Sequence, residues 1–83
     1  MSRGAVEDIR VVFGLRLRQF RKAAGLTQLE LAEEAGLTKN YVSSLERASE
    51  NVSILKAAAL ADVLDVPVHK LFVPPPSGKK KKK

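Results

Sequence analysis

The sequence has no cysteine, no tryptophan and few aromatic residues, with one tyrosine and three phenylalanines among 83 residues. The absence of cysteine excludes disulfides and cysteine-ligated zinc sites. No apolar run approaches the ~20 residues that cross a bilayer, and the first ten residues, MSRGAVEDIR, carry acids where a signal peptide has its apolar region. We therefore expect a small soluble, cytoplasmic protein whose core is built mainly from Leu, Val, Ile and Ala.

The groups needed for catalysis are also missing. His69 is the single histidine, so the chain cannot assemble a histidine cluster, and nothing indicates a nucleophile triad. Glu33 and Glu34 are neighbours that point about 100° apart on a helix, which rules them out as an acid–base pair. No glycine-rich phosphate loop is present. The expectation is a protein without enzymatic activity, metal, cofactor or small-molecule substrate.

The excess of positive charge is concentrated at the C-terminus. The formal net charge is +6, and residues 79–83 are five lysines, so the first 78 residues hold ten basic against nine acidic side chains, a charge of +1. Any attraction of the folded part to nucleic acid must therefore come from how charge is distributed. One predicted helix carries much of the basic charge: Arg10, Arg16, Arg18, Arg21 and Lys22.

Two short helices joined by a tight turn are predicted between Gln28 and Arg47. Thr27 followed by Glu30 predicts a capping box that opens the first helix. Gly36 ends that helix, because the residue after a helix often takes the left-handed conformation, which glycine adopts without steric strain. Thr38 then caps the second helix. The apolar positions fall on one face of each helix: Leu31, Ala32 and Ala35 on the first, and Val42 and Leu45 on the second.

This combination predicts a helix-turn-helix unit. With Val42 and Leu45 turned inward, the second helix exposes a polar face made of Asn40, Ser43, Ser44 and Arg47. An ordinary helical hairpin in a bundle shares parts of the pattern, but the caps, the glycine turn and the small Ala32 together favour the DNA-binding unit.

The segments TQLELAEEAG, YVSSLER, NVSI and ALADVLDV resemble the Cro/repressor-type (xenobiotic-response-element-like) helix-turn-helix proteins of bacteria and phages, from Arg16 to Phe72. The resemblance implies an all-α, compact five-helix bundle of the lambda-repressor-like DNA-binding type. YVSSLER followed by NVSI is similar to restriction-modification controller proteins. One departure from the family pattern is Ala48, since the family usually has glycine directly after the Glu-Arg pair. Alanine disfavours a positive φ at this position.

The domain is expected to span residues 1–73, and residues 74–83 to form a disordered Pro/Lys-rich tail. The first helix is predicted over 6–24, the fourth over 54–64, and a short fifth from Pro67 to Phe72. Two inward stripes are predicted. They comprise Ile9, Phe13, Leu17, Phe20 and Ala24 on the first helix, and Ile54, Ala57, Ala58, Ala61 and Leu64 on the fourth.

The resembling architecture places the start of the second motif helix against base edges in the major groove of double-stranded DNA. We expect Lys39, Asn40 and Ser44 to contact bases, with Ser43 as a secondary reader. Gln28, Tyr41 and Arg47 are expected at the sugar–phosphate backbone, where the helix N-terminus at Gln28 favours phosphate.

Two further features rest partly on the resemblance. It implies a structural ion pair between Arg21 and Glu46 inside the fold. It also implies a homodimer formed through the end of the bundle, where the apolar side chains Val66, Val68, Leu71 and Phe72 exceed what a terminal helix easily buries. The alternative for Leu71 and Phe72 is that they close the core of the protomer.

Two classes of function are consistent with the sequence. The first is a sequence-specific transcriptional regulator, such as a repressor, of bacterial or phage origin, that binds a pseudo-palindromic operator as a dimer and is associated with the nucleoid when bound. The second is a protein-interaction module on the same fold, such as an antitoxin or bridging factor.

Overall fold

The computed structural model describes residues 8–76, which contain four α-helices, one 3-10 helix and no strand. The elements are α1 (Ile9–Ala23), α2 (Gln28–Ala35), α3 (Lys39–Glu46), α4 (Ile54–Leu64) and the 3-10 helix η1 (Val68–Phe72). The expected all-α class is confirmed, but a fifth α-helix is not. The segment after Pro67 has only five residues and no side-chain cap, and it closes on a short-range bond from Lys70 N to Pro67 O of 3.0 Å.

A side-chain cap opens each α-helix. The capping box of α2 is complete, since Thr27 Oγ1 accepts from Glu30 N at 3.0 Å and Glu30 Oε1 accepts from Thr27 N at 2.9 Å. Thr38 and Ser53 accept in the same way from the third residue of α3 and α4. The start of α1 was predicted wrongly at residue 6, because Asp8 is extended and caps the helix by accepting from Arg10 N.

Asp8 also pairs with the side chain of Arg10, whose Nη2 lies 2.6 Å from Asp8 Oδ2. The hydrogen bonds from Arg10 lower the pKa of Asp8 to about 2. Residues 1–7 and 77–83 lie outside the described part of the chain, and they include the first two residues of the predicted first helix and most of the predicted tail. Residues 74–76, which are described, have no regular secondary structure.

A left-handed residue follows each of the four α-helices described, and Gly25, with φ 75°, is the one after α1. Gly36 has φ 74° and ends α2, as predicted, and Leu37 N then donates to Ala32 O at 2.8 Å. Asp65, with φ 58°, ends α4. Ala48 adopts φ 62° just after α3, so this alanine takes the strained conformation that glycine tolerates without cost.

The core draws on every helix. Its largest fully buried side chains are Leu17, Leu31, Val42, Leu45, Leu60 and Leu71. Two predicted stripes were partly wrong. On α1, Ile9 is 51% exposed and Ala24 is exposed. On α4, the buried face is Ala57, Leu60, Ala61 and Leu64, while Ile54 and Ala58 are exposed.

The C-terminal apolar cluster belongs mostly to the protomer's own core. Leu71 has no exposed surface, and the ring of Phe72 lies 5.0 Å from that of Phe13. Val66 is half-buried and packs on the same core, whereas Val68 is 41% exposed. The complete burial of Leu71 within the protomer fits the alternative that it closes the core, and the dimer role of the set remains a prediction. Val68 is the member of the predicted set that faces outward.

Arg16 fastens η1 to α1. Its side chain is buried, Nε donates to Lys70 O at 3.2 Å, Nη1 donates to Gln19 Oε1 at 3.0 Å, and the guanidinium lies 4.5 Å from the centre of the Phe20 ring. A buried arginine that donates to groups inside the protein has a structural role. It removes Arg16 from the basic charge available to a nucleic acid.

Candidate nucleic-acid interface

The second motif helix, α3, has a buried side and an open side. Val42 and Leu45 are almost completely buried in the core. On the opposite side Lys39, Asn40 and Arg47 are exposed. Ser43 and Ser44 lie between them and are half-buried. The structure thus brings together on one open surface the residues that the sequence indicated as base readers.

Gly14 allows α1 to pack directly against the end of α3. A Cβ at this position would lie 2.5 Å from Leu45 O and 2.9 Å from Glu46 O. These distances are shorter than any real Cβ contact, so only glycine fits between the two backbones. This role of Gly14 was not predicted from the sequence. The available signal was a glycine inside a helical pattern, which costs stability unless packing requires it.

The ion pair implied by the resemblance is present beneath the same end of α3. Arg21 Nε lies 2.6 Å from Glu46 Oε2, and Nη2 donates to Glu46 Oε1 at 3.1 Å, a bidentate geometry. Both side chains are largely buried, at 11% and 4% exposure. The hydrogen bonds to Glu46 raise the pKa of Arg21 above its usual value. Arg21 Nη1 donates in addition to Leu26 O at 2.9 Å, in the loop between α1 and α2.

Gln28 joins this network from α2. Its amide Nε2 donates to Glu46 Oε1 at 3.0 Å, so Glu46 receives hydrogen bonds from two other helices. One amide proton of Gln28 is therefore engaged inside the protein, and the second remains for a phosphate. Gln28 was predicted only in an external role, and its contact between α2 and α3 was not predicted.

Tyr41 connects α3 to the loop that follows it. Its hydroxyl donates to Asn51 O at 3.2 Å, and Lys56 Nζ lies 4.8 Å from the ring centre. Burial raises the pKa of Tyr41 above its usual value. Tyr41 thus holds the connection between α3 and α4, and contact with the DNA backbone remains a prediction for it.

Arg47 lies along the open side of α3. It donates through Nη1 to Ser43 Oγ and through Nη2 to Ser44 Oγ at 3.4 Å. These contacts use the hydroxyl oxygens as acceptors and leave the hydroxyl protons as donors. The backbone of Ser44 is tied separately, since its carbonyl accepts from Ser49 N at 3.0 Å and from Ser49 Oγ at 3.2 Å.

The charge on the open side of α3 is positive because the one acid of this helix points inward. Glu46 is neutralised by Arg21, so the charges presented to solvent are those of Lys39 on α3 and of Arg47 directly after it. The exposed acids of the motif lie on α2 instead, at Glu30, Glu33 and Glu34. Local geometry thereby gives a nearly neutral domain one basic surface.

Residues 8–76 were also searched for a metal site and for a membrane-spanning helix. No group of three or more His, Cys, Asp or Glu side chains there is arranged to hold a metal ion. None of the helices described is both long and apolar enough to cross a membrane.

The model of a family described as helix-turn-helix matches residues 17–71. The chain belongs to this helix-turn-helix family. The match covers α2, α3 and α4 completely, so the family resemblance of the sequence motifs is confirmed. The chain is 46% identical over 62 residues to the transcriptional regulator SinR of Bacillus subtilis, covering 74% of this chain and 56% of SinR.

Solved structures of family members share the fold. The restriction-modification controller protein C.AhdI of Aeromonas hydrophila is 44% identical, with a TM-score of 0.74 over 76% of this chain and 96% of that one. SinR in complex with DNA is 45% identical, with a TM-score of 0.71 over 74% of this chain and 98% of that one. Some curated relatives are longer. The chain spans 56% of SinR and 65% of a hypothetical transcription factor from Neisseria meningitidis.

Proposed function

We propose that this protein is a sequence-specific, double-stranded-DNA-binding transcriptional regulator that reads the major groove with the open side of α3. The observation that carries the proposal is the two-sidedness of α3. Helices α1 and α2 hold its inner side, whereas its outer side presents Lys39, Asn40 and the serine hydroxyls without an acid among them. No catalytic step or cofactor is required for this activity.

The relatives support this proposal. SinR is named a transcriptional regulator, and one of its structures was solved as a complex with DNA. C.AhdI and the control protein C.SmaI of Serratia marcescens, 36% identical over 65 residues, are controllers by name. The shared region is the one that contains the candidate interface.

Individual roles follow from chemistry and position. Lys39 suits the guanine acceptors O6 and N7, and Asn40 suits a bidentate contact with adenine. Ser43 and Ser44, whose hydroxyl oxygens accept from Arg47, are left to donate to base acceptors. Gln28, Tyr41 and Arg47 contact the sugar–phosphate backbone and fix the orientation of α3. Bulk charge contributes little, because the first 78 residues carry only +1.

We further propose that two copies bind one pseudo-palindromic operator, with half-sites one helical turn (~34 Å) or a multiple of it apart. A single α3 has a short reading surface, so one copy discriminates few base pairs. Two copies on a symmetric site double the number of specific contacts.

Selection of bound fragments from random duplex DNA tests the proposal. The full chain should enrich one motif with two-fold symmetry, and titration of that duplex should give two protomers per site. The matched control is Glu33→Ala with Glu34→Ala, which changes exposed side chains on α2 and should enrich the same motif. Failure to enrich any motif, with binding that depends on salt alone, would contradict the proposal and favour the protein-interaction module.

A further inference from the structure

One arginine connects the two serines on the open side of α3. Arg47 follows the helix directly and is exposed, and its side chain reaches back over the last turn. It donates through Nη1 to Ser43 Oγ and through Nη2 to Ser44 Oγ at 3.4 Å. Within residues 8–76 these are the hydrogen bonds that the two hydroxyl groups make. Both serine side chains are therefore oriented by the same guanidinium.

A serine hydroxyl by itself discriminates poorly between bases, because it can both donate and accept a hydrogen bond. It can donate to guanine N7 or O6 and, after rotation, accept from cytosine N4, so it tolerates a G·C pair in either orientation. A guanidinium has donors and no acceptor. When Arg47 donates to Ser43 and Ser44, each hydroxyl proton must point away from it. The positive charge also polarises each hydroxyl, which strengthens it as a donor.

These contacts are compatible with a phosphate on the outer edge of Arg47. A guanidinium has five N–H donors in a rigid, planar arrangement. The serines use one donor on Nη1 and one on Nη2, which leaves the others for phosphate oxygens. The end of α3 is held separately, since Ser44 O accepts from Ser49 N at 3.0 Å and from Ser49 Oγ at 3.2 Å. Arg47 can therefore bind the DNA backbone without releasing the serines.

We propose that Arg47 is a positioning residue that determines specificity by making Ser43 and Ser44 donors toward the major groove. The serines then select base edges that carry acceptors, namely guanine O6 and N7, adenine N7 or thymine O4, and they reject the amino group of cytosine. This inference rests on the proposed function. It adds a property that the serines lack by themselves, the ability to distinguish the two orientations of a G·C pair.

Single base-pair changes in the operator selected by the parent protein test the proposal. The motifs selected by Ser43→Ala and by Ser44→Ala first identify the base pairs that the serines contact, as the positions where the preference for one base is lost. The contacted base is then changed to cytosine, with guanine on the other strand. The parent should lose about tenfold in affinity, whereas Arg47→Met should lose less than about threefold, because its free hydroxyls can accept from cytosine N4.

Two further variants separate the direction of the serines from the charge of Arg47. Lysine keeps the positive charge but lacks the planar group that spans two hydroxyls. Arg47→Lys should therefore keep the salt dependence of the parent's binding and still tolerate cytosine at one or both serine positions. The matched control is Arg18→Met, which removes an exposed guanidinium from α1 and should leave both penalties unchanged. If Arg47→Met weakened binding to every duplex by one common factor, Arg47 would be a phosphate contact alone and the proposal would be wrong.

A purely structural role of Arg47 predicts a different result. Loss of stability in the last turn of α3 would lower the melting temperature and weaken all binding, without changing the preference between bases. Because Arg47 is exposed, Arg47→Met should instead keep the melting temperature of the parent. At the base pair of Ser43, Arg47→Met combined with Ser43→Ala should give the same cytosine penalty as Ser43→Ala alone, since the hydroxyl through which Arg47 acts is gone. Independent, additive effects of the two changes would contradict the proposal.

The failure of this inference is distinguishable from that of the proposed function. A parent protein that enriches no motif contradicts the proposed function itself. A parent that enriches a motif contradicts only the role of Arg47 if Arg47→Met keeps the full cytosine penalty, or if the two serine variants leave every position of the motif unchanged. Relaxed discrimination confined to the serine positions is the result that supports the proposal.

Discussion

The inner and outer sides of α3 differ in how strongly the rest of the molecule holds them. On the inner side, Val42 and Leu45 are buried, Gly14 brings α1 into backbone contact, and Glu46 is bound by Arg21 and Gln28. On the outer side, the described contacts of the polar side chains are local, such as those of Arg47 with two serines.

This difference separates stability from recognition within one short helix. A helix of eight residues is marginal by itself, so the contacts of its inner side determine where it lies. Its outer side chains can then vary with the DNA sequence that they read, without changing the position of the helix. Changes on the inner side should therefore alter stability first, and changes on the outer side should alter binding alone.

Glu46→Ala should give the largest effect on stability. It leaves Arg21 largely buried without its carboxylate, at a cost of about 3–5 kcal/mol in the free energy of unfolding, measured by urea denaturation. Glu33→Ala on exposed α2 is the control and should change stability by less than about 0.5 kcal/mol. Arg21→Met combined with Glu46→Leu should recover part of the loss, because no charge is then stranded. If Glu46→Ala kept full stability and altered sequence preference, the structural role assigned to the inner side of α3 would be wrong.

Gly14→Ala should have the second largest effect. The added Cβ meets backbone carbonyl oxygens of α3, which cannot rotate away as a side chain would. Separating α1 from α3 should cost about 1–3 kcal/mol of unfolding free energy, seen in thermal or chemical denaturation. Ala23→Gly, near the exposed end of α1, tests the helix propensity alone and should cost less than about 1 kcal/mol. Unchanged stability of Gly14→Ala would show that the helices can move apart freely.

Ala48→Gly should give the smallest effect and the opposite sign. Ala48 has φ 62°, which costs an L-residue ~1–2 kcal/mol relative to the right-handed region. Glycine removes that strain but adds entropy to the unfolded chain, so we expect a net gain of about 0.5 kcal/mol and a higher melting temperature. A loss of stability would mean that the alanine side chain makes contacts that outweigh its backbone strain.

Local rules were sufficient for much of the fold. The capping box at Thr27, the caps at Thr38 and Ser53 and the left-handed Gly36 depend on neighbouring residues, so the sequence predicts them well. The phase of α4 was predicted less well, because every residue of that helix except Lys56 and Asp62 is apolar and periodicity cannot select one face.

Contacts between distant elements were not predicted from the sequence. Nothing near Gln28 indicates that its amide reaches Glu46, and nothing near Arg16 indicates that it binds the carbonyl of Lys70, 54 residues away. Each looked like a surface group for DNA until the packing of the helices was known. The open face of α3 was predictable because a two-residue apolar stripe fixes which side of so short a helix faces solvent.

The central claim, that the outer side of α3 reads DNA, is tested most directly by the specificity of Lys39→Ala combined with Asn40→Ala. The measured quantity is the ratio of affinities for the selected operator and a scrambled duplex, at several salt concentrations. Both residues are exposed, so the variant should fold like the parent and keep salt-sensitive nonspecific binding. The difference in binding free energy between the two duplexes should shrink by about 1–3 kcal/mol for each lost base contact. A variant that keeps the parent's ratio would contradict the account.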